Sequence, residues 1–347
     1  MKKYHFNIRI NIKDNNAGSK ATEDCRTILI SNGFNDLEVS FVKVWYLMPV
    51  NFLKLLVKLL SYLFIIERGS FVLVQYPLLG INIFFKYYIQ LLKIKKCKVC
   101  AIIHDVDCLR YDFDKSRVSQ EMENLMPYDA VISHNPSMTK WLKQNGYKGH
   151  IEAIFLFDYL AKNVNKVKND STKFAEIAFA GNLARGTFLN KLSVNSFDLN
   201  LFGPGFNKTI AAKNSRIKWF GSFSPLEILN EIKGKFGLIW DGDSTEEITG
   251  LMGNYIRYNT PHKTSLYLAS GLPVIISKNA ALAPFIEENN IGICINSLSD
   301  IQEKAFGISA EEYAVMKSNA TLIGEKLRRG DYLTEAVRKT QEDLKKR

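Results

Sequence analysis

The sequence lacks a second Cys-x-x-Cys pair, a G-x-G-x-x-G fingerprint and any apolar run long and unbroken enough to span a bilayer. Each absence excludes a class. Cys97 and Cys100 have the spacing of a metal or redox pair, but with no partner pair they point to no metal site. The remaining cysteines, Cys25, Cys108 and Cys294, bring the total to an odd five without framework spacing, which fits a reducing compartment. Without the glycine fingerprint a standard dinucleotide site is not expected. Met1-Lys2-Lys3 leads into strand-like alternation rather than an apolar signal core, so a cytoplasmic protein is expected. Internal repeats and low-complexity tracts are also missing.

What is present describes a globular protein long enough for two domains: 347 residues, 46% hydrophobic and 23% charged. The net charge of +11 is uneven, because residues 41–100 carry nine Lys or Arg and a single acid, Glu67. Within that segment Lys54 and Lys58 fall four apart on one face of an otherwise apolar helix. Such a helix either rests on an anionic membrane surface or is a core helix with two solvated lysines. Nucleic acid is not an expected partner, since the basic residues lack interleaved exposed aromatics and no binding motif occurs.

Strand-length apolar runs alternate with amphipathic helical segments, the pattern of an α/β protein with parallel sheets. In the first half, strands are expected near 3–12, 37–45, 70–76, 97–104, 129–133 and 150–155. Helices are expected near 18–32, 50–66, 80–94, 117–126 and 136–145. Residues 161–173 are polar and aperiodic and read as a linker. Strands resume near 175–180, 198–202, 216–220, 235–240, 273–277 and 291–295, and a charged helical tail runs from about 309 to 347. Two Rossmann-like domains facing across a cleft follow: 1–160, then 174–315, with helices 316–347 packing back towards the first domain. Ligands of such sheets bind at strand carboxyl ends.

The loops at those ends hold the candidates. Gly18, after the first strand, allows close backbone approach at a helix start. Strand 99–103 ends in His104-Asp105-Val106-Asp107, followed by Arg110, titratable groups that packing explains poorly and that suit a base. His134-Asn135-Pro136 reads as a helix cap with Pro in the first turn. Gly181-Asn182-Leu183-Ala184-Arg185 offers small residues and one Arg for a pyrophosphate. Gly203 and Gly205 form a second turn, read as structural. Trp240 is followed by Asp241 and Asp243, suited to hydroxyls. Pro261 opens a helix whose first turn holds His262, Lys263 and Thr264, a start that attracts phosphate. That set suits a nucleotide-sugar.

With those residues in hand, the chain resembles bacterial β-1,6-galactofuranosyltransferases of O-antigen synthesis and, more broadly, the glucosyltransferase 3-like group. The resemblance is carried by residues 103–107, 132–140, 157–160, 180–183, 236–244 and 259–268, of which Trp240-Asp241-Gly242-Asp243-Ser244 and Pro261-His262-Lys263-Thr264-Ser265-Leu266-Tyr267-Leu268 are the most specific. Thr260 stands where Asn is expected. The resemblance implies a GT-B fold, a UDP-sugar donor in the C-terminal domain, no required cofactor or metal, and a homo-oligomer. The donor site is assigned to Gly18, Asn182, Arg185, Asp241 and Asp243, together with Tyr255, His262, Lys263 and Thr264. Asp105 is nominated as the base, with Asp107 and His104 behind it. Inversion is expected, because 263–270 lacks the acids that retaining relatives carry. The acceptor is read as a saccharide, with a lipid-linked one at the inner membrane face favoured over a soluble or protein-bound one. Two other readings stand beside it: a UDP-glucose-dependent glucosyltransferase acting on a glycan or glycoprotein, and a non-catalytic nucleotide-sugar-binding subunit.

Overall fold

The computed structural model describes all residues except 11–16, 42–47, 79–80, 112–113, 163–174, 208, 210–213 and 347. The chain forms two compact units, one of residues 1–14, 22–154 and 333–347, the other of residues 15–21 and 155–332.

The first unit is built on six parallel strands: β1 (Lys3–Ile10), β2 (Asn35–Phe41), β3 (Phe71–Tyr76), β4 (Lys98–Ile103), β5 (Ala130–Ser133) and β6 (His150–Ala153). Their order is β2-β1-β3-β4-β5-β6. The central strands are the most continuously apolar, as burial on both faces demands; Val99 to Ile103 of β4 are all buried. Helices Met48–Ile65, Asn82–Ile94, Lys115–Leu125 and Pro136–Gln144 match the expected segments. Asn135 caps the last, its side chain accepting the Met138 N–H, with Pro136 in the first turn. A short helix, Asp107–Tyr111, had no counterpart in the sequence reading.

The second unit repeats the plan with β7 (Glu176–Ala180), β8 (Asp198–Phe202), β9 (Ile217–Trp219), β10 (Phe236–Ile239), β11 (Val274–Ser277) and β12 (Gly292–Ile295). The order is β12-β11-β10-β7-β8-β9, again all parallel. The chain therefore reverses its direction of growth between β7 and β10, the switch point where doubly wound sheets bind ligands. The charged tail is two helices, Ala310–Arg329 and Asp331–Lys346, broken at Gly330, whose φ of 85° is the left-handed conformation of a helix stop. The expected linker lies mostly outside the described residues.

Buried in the second sheet, Tyr267 fastens the switch point. Its hydroxyl accepts the Ala180 N–H of β7 at 2.8 Å and donates to the Leu238 carbonyl of β10 at 3.2 Å. The ring lies over Gly237, where an added Cβ would stand 2.1 Å from the Tyr267 Cγ. Gly237→Ala must therefore push out a ring held at both strands, and an overpacked core of this kind loses about 3 kcal/mol. Urea unfolding measures it; a loss under about 1 kcal/mol would mean the ring has room to move.

Candidate functional site

The carboxyl ends of β7 and β10 converge on one cation. Lys263, in the first turn of helix His262–Ala269, donates to both carboxylate oxygens of Asp241 at 3.0 Å and to the Trp240 carbonyl at 3.2 Å. Its ammonium also lies 4.6 Å from the centre of the Phe179 ring, a cation–π distance. Both charged side chains are about 15% exposed (15% for Lys263, 16% for Asp241). The helix brings Lys263 here because Tyr267, one turn on along the same face, is pinned between the two strands.

Around the pair, the stretch 259–265 gathers buried polar atoms without a hydrogen-bond partner: Asn259 Oδ1, His262 Nε2, Thr264 Oγ1 and Ser265 Oγ. Buried polar atoms are normally paired, so this cluster makes 259–265 a candidate binding region. Burial, with the nearby Lys20 charge second, pushes the His262 pKa down to about 4 and holds its imidazole neutral. The ring lies 5.2 Å from that of Tyr159, over which Lys20 sits at 4.9 Å while donating to the Leu160 carbonyl at 2.7 Å. Gly18 falls in the first turn of helix Ala17–Ser31, in the short segment grouped with this unit. Asn15 and Asn16 lie outside the described residues.

Other nominated residues take different parts. Asn182 builds its own turn, its Oδ1 accepting the Ala184 N–H at 3.1 Å, and Leu183 N–H ties that turn to the Pro204 carbonyl. Gly203 is structural: a Cβ there would meet the Gly181 carbonyl oxygen at 1.9 Å. Arg185 is exposed beside this turn. Asp243 accepts from Thr249 Oγ1 at 2.6 Å, which lowers its pKa and shapes the loop before helix Gly250–Ile256. Tyr255 is buried in that helix at 1% exposure. Asp241, read from sequence as a hydroxyl ligand, serves first as the partner of Lys263. Tyr267 and Lys20 escaped the sequence reading; Gly237 inside a strand was the available signal for the former.

In the first unit, the three titratable residues after β4 separate. Asp105 forms an ion pair with Arg110. His104 Nε2 meets Gln75 Oε1 at 2.7 Å, and Gln75 Nε2 meets Nε2 of the buried His5 at 3.0 Å. His5 in turn reaches Asp36, which Arg26 also holds. Asp107 opens its short helix and faces a polar cavity of about 400 Å³ lined by Tyr76, Asn82, Asp107, Cys108, Arg117, Gln120, Glu121 and Asn124. Burial raises the Asp107 pKa, and Arg110 opposes the rise only in part. Glu121 is also raised by burial, although Tyr76 and the Cys108 N–H donate to it. The nomination of Asp105 over Asp107 therefore meets an obstacle: the ion pair engages Asp105, while Asp107 is the residue that lines a cavity.

The sequence and the fold have counterparts in known proteins. The N-terminal domain model of the glucosyltransferase 3-like family matches residues 3–154, and its C-terminal domain model matches 177–340. The chain is 32% identical over 346 residues to the β-1,6-galactofuranosyltransferase WbbI of Escherichia coli K12, covering 99% of this chain and all of that one. It is 28% identical to glucosyltransferase 3 of Streptococcus gordonii over 72% of each chain. Among solved structures, Anabaena HepE in complex with UDP superposes with a TM-score of 0.63 at 11% identity, over 99% of this chain and 100% of that one. The lipopolysaccharide outer core galactosyltransferase WaaB superposes at 0.61 and 12%, over 99% of each chain. Two parallel-sheet units of this order are the GT-B fold, and the chain belongs to the glucosyltransferase 3-like family of glycosyltransferases.

Proposed function

We propose that this protein transfers a galactofuranosyl unit from UDP-galactofuranose to a saccharide acceptor of cell-surface polysaccharide, with inversion and without a metal. The observation that carries the reading is the Lys263–Asp241 pair at the switch point of the C-terminal sheet, beside the unpaired polar atoms of 259–265. A nucleoside diphosphate seated there meets one ammonium, the start of helix His262–Ala269 and the exposed Arg185. Those groups offset the charge that develops on the departing UDP, the electrostatic part of catalysis. The likeness to WbbI supports galactofuranose as the sugar; the likeness to a streptococcal glucosyltransferase keeps UDP-glucose as the second reading.

The N-terminal unit supplies the base. Asp107 is a better candidate than Asp105, because a carboxylate whose pKa burial has raised takes a hydroxyl proton more readily. The cavity it lines is rich in amide, guanidinium and carboxyl groups, which suits a polyhydroxylated acceptor.

Thermal unfolding with UDP and ADP, each with and without EDTA, tests the donor site. UDP at a hundred times its dissociation constant adds about 2.7 kcal/mol of stability, and EDTA leaves the shift intact. No shift with UDP, or an equal shift with ADP, overturns the uridine assignment. Turnover with UDP-galactofuranose against UDP-glucose then decides the sugar.

A further inference from the structure

Among its described side chains, helix Met48–Ile65 buries one stripe, Leu55, Leu59 and Tyr62, with Ile66 following close behind it. Those positions recur every three to four residues and meet the packing needs of an ordinary surface helix. Yet its outer face is also apolar: Leu53, Val57, Leu60 and Phe64 are exposed, Phe64 at 90%. Its only charges are Lys54 and Lys58.

The next helix continues the surface. Asn82–Ile94 turns Phe85, Tyr88, Ile89 and Leu92 inward, and exposes Phe84, Tyr87, Leu91 and Ile94, the last at 74%. Three contacts lock the two helices into one plate. Phe52 and Phe84 pack edge to face at 5.0 Å, and Tyr88 donates its hydroxyl proton to the Leu59 carbonyl at 3.0 Å. Lys95 donates to the Leu63 and Ile66 carbonyls, closing the end of the first helix. More than half of the exposed large hydrophobic residues among those described lie on this plate. Neither helix carries an Asp or Glu, whereas Lys54, Lys58, Lys86 and Lys93 lie on them and Lys95 and Lys96 follow. Lys86 and Lys93 face carboxylates of their own unit, Glu123 and Asp129; Lys54 and Lys58 have no carboxylate partner among the described residues.

We propose that this two-helix plate docks on an anionic lipid bilayer, lying in the interface with its apolar row in the acyl boundary and Lys54 and Lys58 at the headgroups. Apolar area combined with lysines and no acids is the composition that binds such a surface. No helix among the described residues is long and apolar enough to cross a membrane, so the plate lies on the bilayer rather than through it. A second copy of the chain is the poorer occupant. A symmetric contact brings the same patch to both sides, so it would bring Lys54 and Lys58 to an apolar interface that offers them no carboxylate. The docking needs nothing from the donor site and stands or falls separately from the sugar assignment.

Co-sedimentation with vesicles of phosphatidylcholine, with and without phosphatidylglycerol, tests it. The protein pellets with the anionic vesicles and is released by high salt. The variant carrying Leu53→Glu, Leu60→Glu and Phe64→Glu stays in the supernatant, and Lys54→Gln with Lys58→Gln weakens partitioning about thirtyfold. All five side chains are exposed, so circular dichroism melting of both variants matches the parent and shows that folding is unaffected. Binding by the triple variant equal to the parent's, or no binding by the parent, overturns the proposal. If the parent ignores vesicles and light scattering shows the triple variant dissociating to a smaller species, the plate is a self-association surface and the lipid assignment is wrong.

Discussion

Lys263→Met lowers turnover about a hundred- to a thousandfold, the loss that follows removal of one preorganised charge from a developing anion. The single variant mixes two effects, because Asp241 is left with its carboxylate largely buried and unpaired. An uncompensated charge of this kind is itself destabilising and also repels a diphosphate. The double variant Lys263→Met with Asp241→Asn separates them. It regains the melting temperature, since no orphaned charge remains, but it does not regain turnover if the ammonium stabilises the departing UDP. Recovery of turnover in the double variant would show that Lys263 serves only to neutralise Asp241. Asp241→Asn alone has the opposite sign on binding: it removes a negative charge beside the donor phosphates and tightens UDP, read by calorimetry.

Most strands were legible because parallel sheets bury both faces and so write their strands as apolar runs; all twelve overlap the expected segments, of which 11–12 and 42–45 lie outside the described residues. The positions of Asp241 after a strand and of Lys263 at a helix start followed from the same pattern. Their pairing did not, because twenty-odd residues of chain separate them and only the fold brings the two together. Tyr267 was hidden for a related reason. Nothing in an apolar helix shows that one hydroxyl will bridge two strands, and only the glycine beneath it hints at the ring. Asn182 and Asp243 carried side chains that suit a ligand, yet local hydrogen bonds use them to shape turns, a competition common to Asn and Asp. The apolar outer faces of helices 48–65 and 82–94 were invisible as such, since composition does not tell which stripe is buried.

Asp107→Asn removes the proposed base and lowers kcat about a hundred- to ten-thousandfold, against a smaller loss for Asp105→Asn. The distinction rests on what each carboxylate meets. Asp105 is engaged by Arg110, while Asp107 is half-buried at a polar cavity and its pKa is raised by that burial. A base works deprotonated, so kcat/KM falls as pH drops through the pKa that burial has raised. The same shift has a cost in stability with a definite sign. A carboxyl whose folded pKa lies above its unfolded value binds more protons in the folded state, so stability declines as pH rises between the two values. At neutral pH Asp107 carries a charge the fold disfavours, and Asn relieves it. Asp107→Asn is therefore expected to melt higher than the parent at neutral pH and to lose that advantage in acid, while transferring almost nothing. A variant both inactive and less stable at neutral pH would mark Asp107 as a structural residue, its helix start needing the carboxylate. Gain of stability with loss of transfer is the signature of a catalytic group kept for its chemistry at a cost in stability.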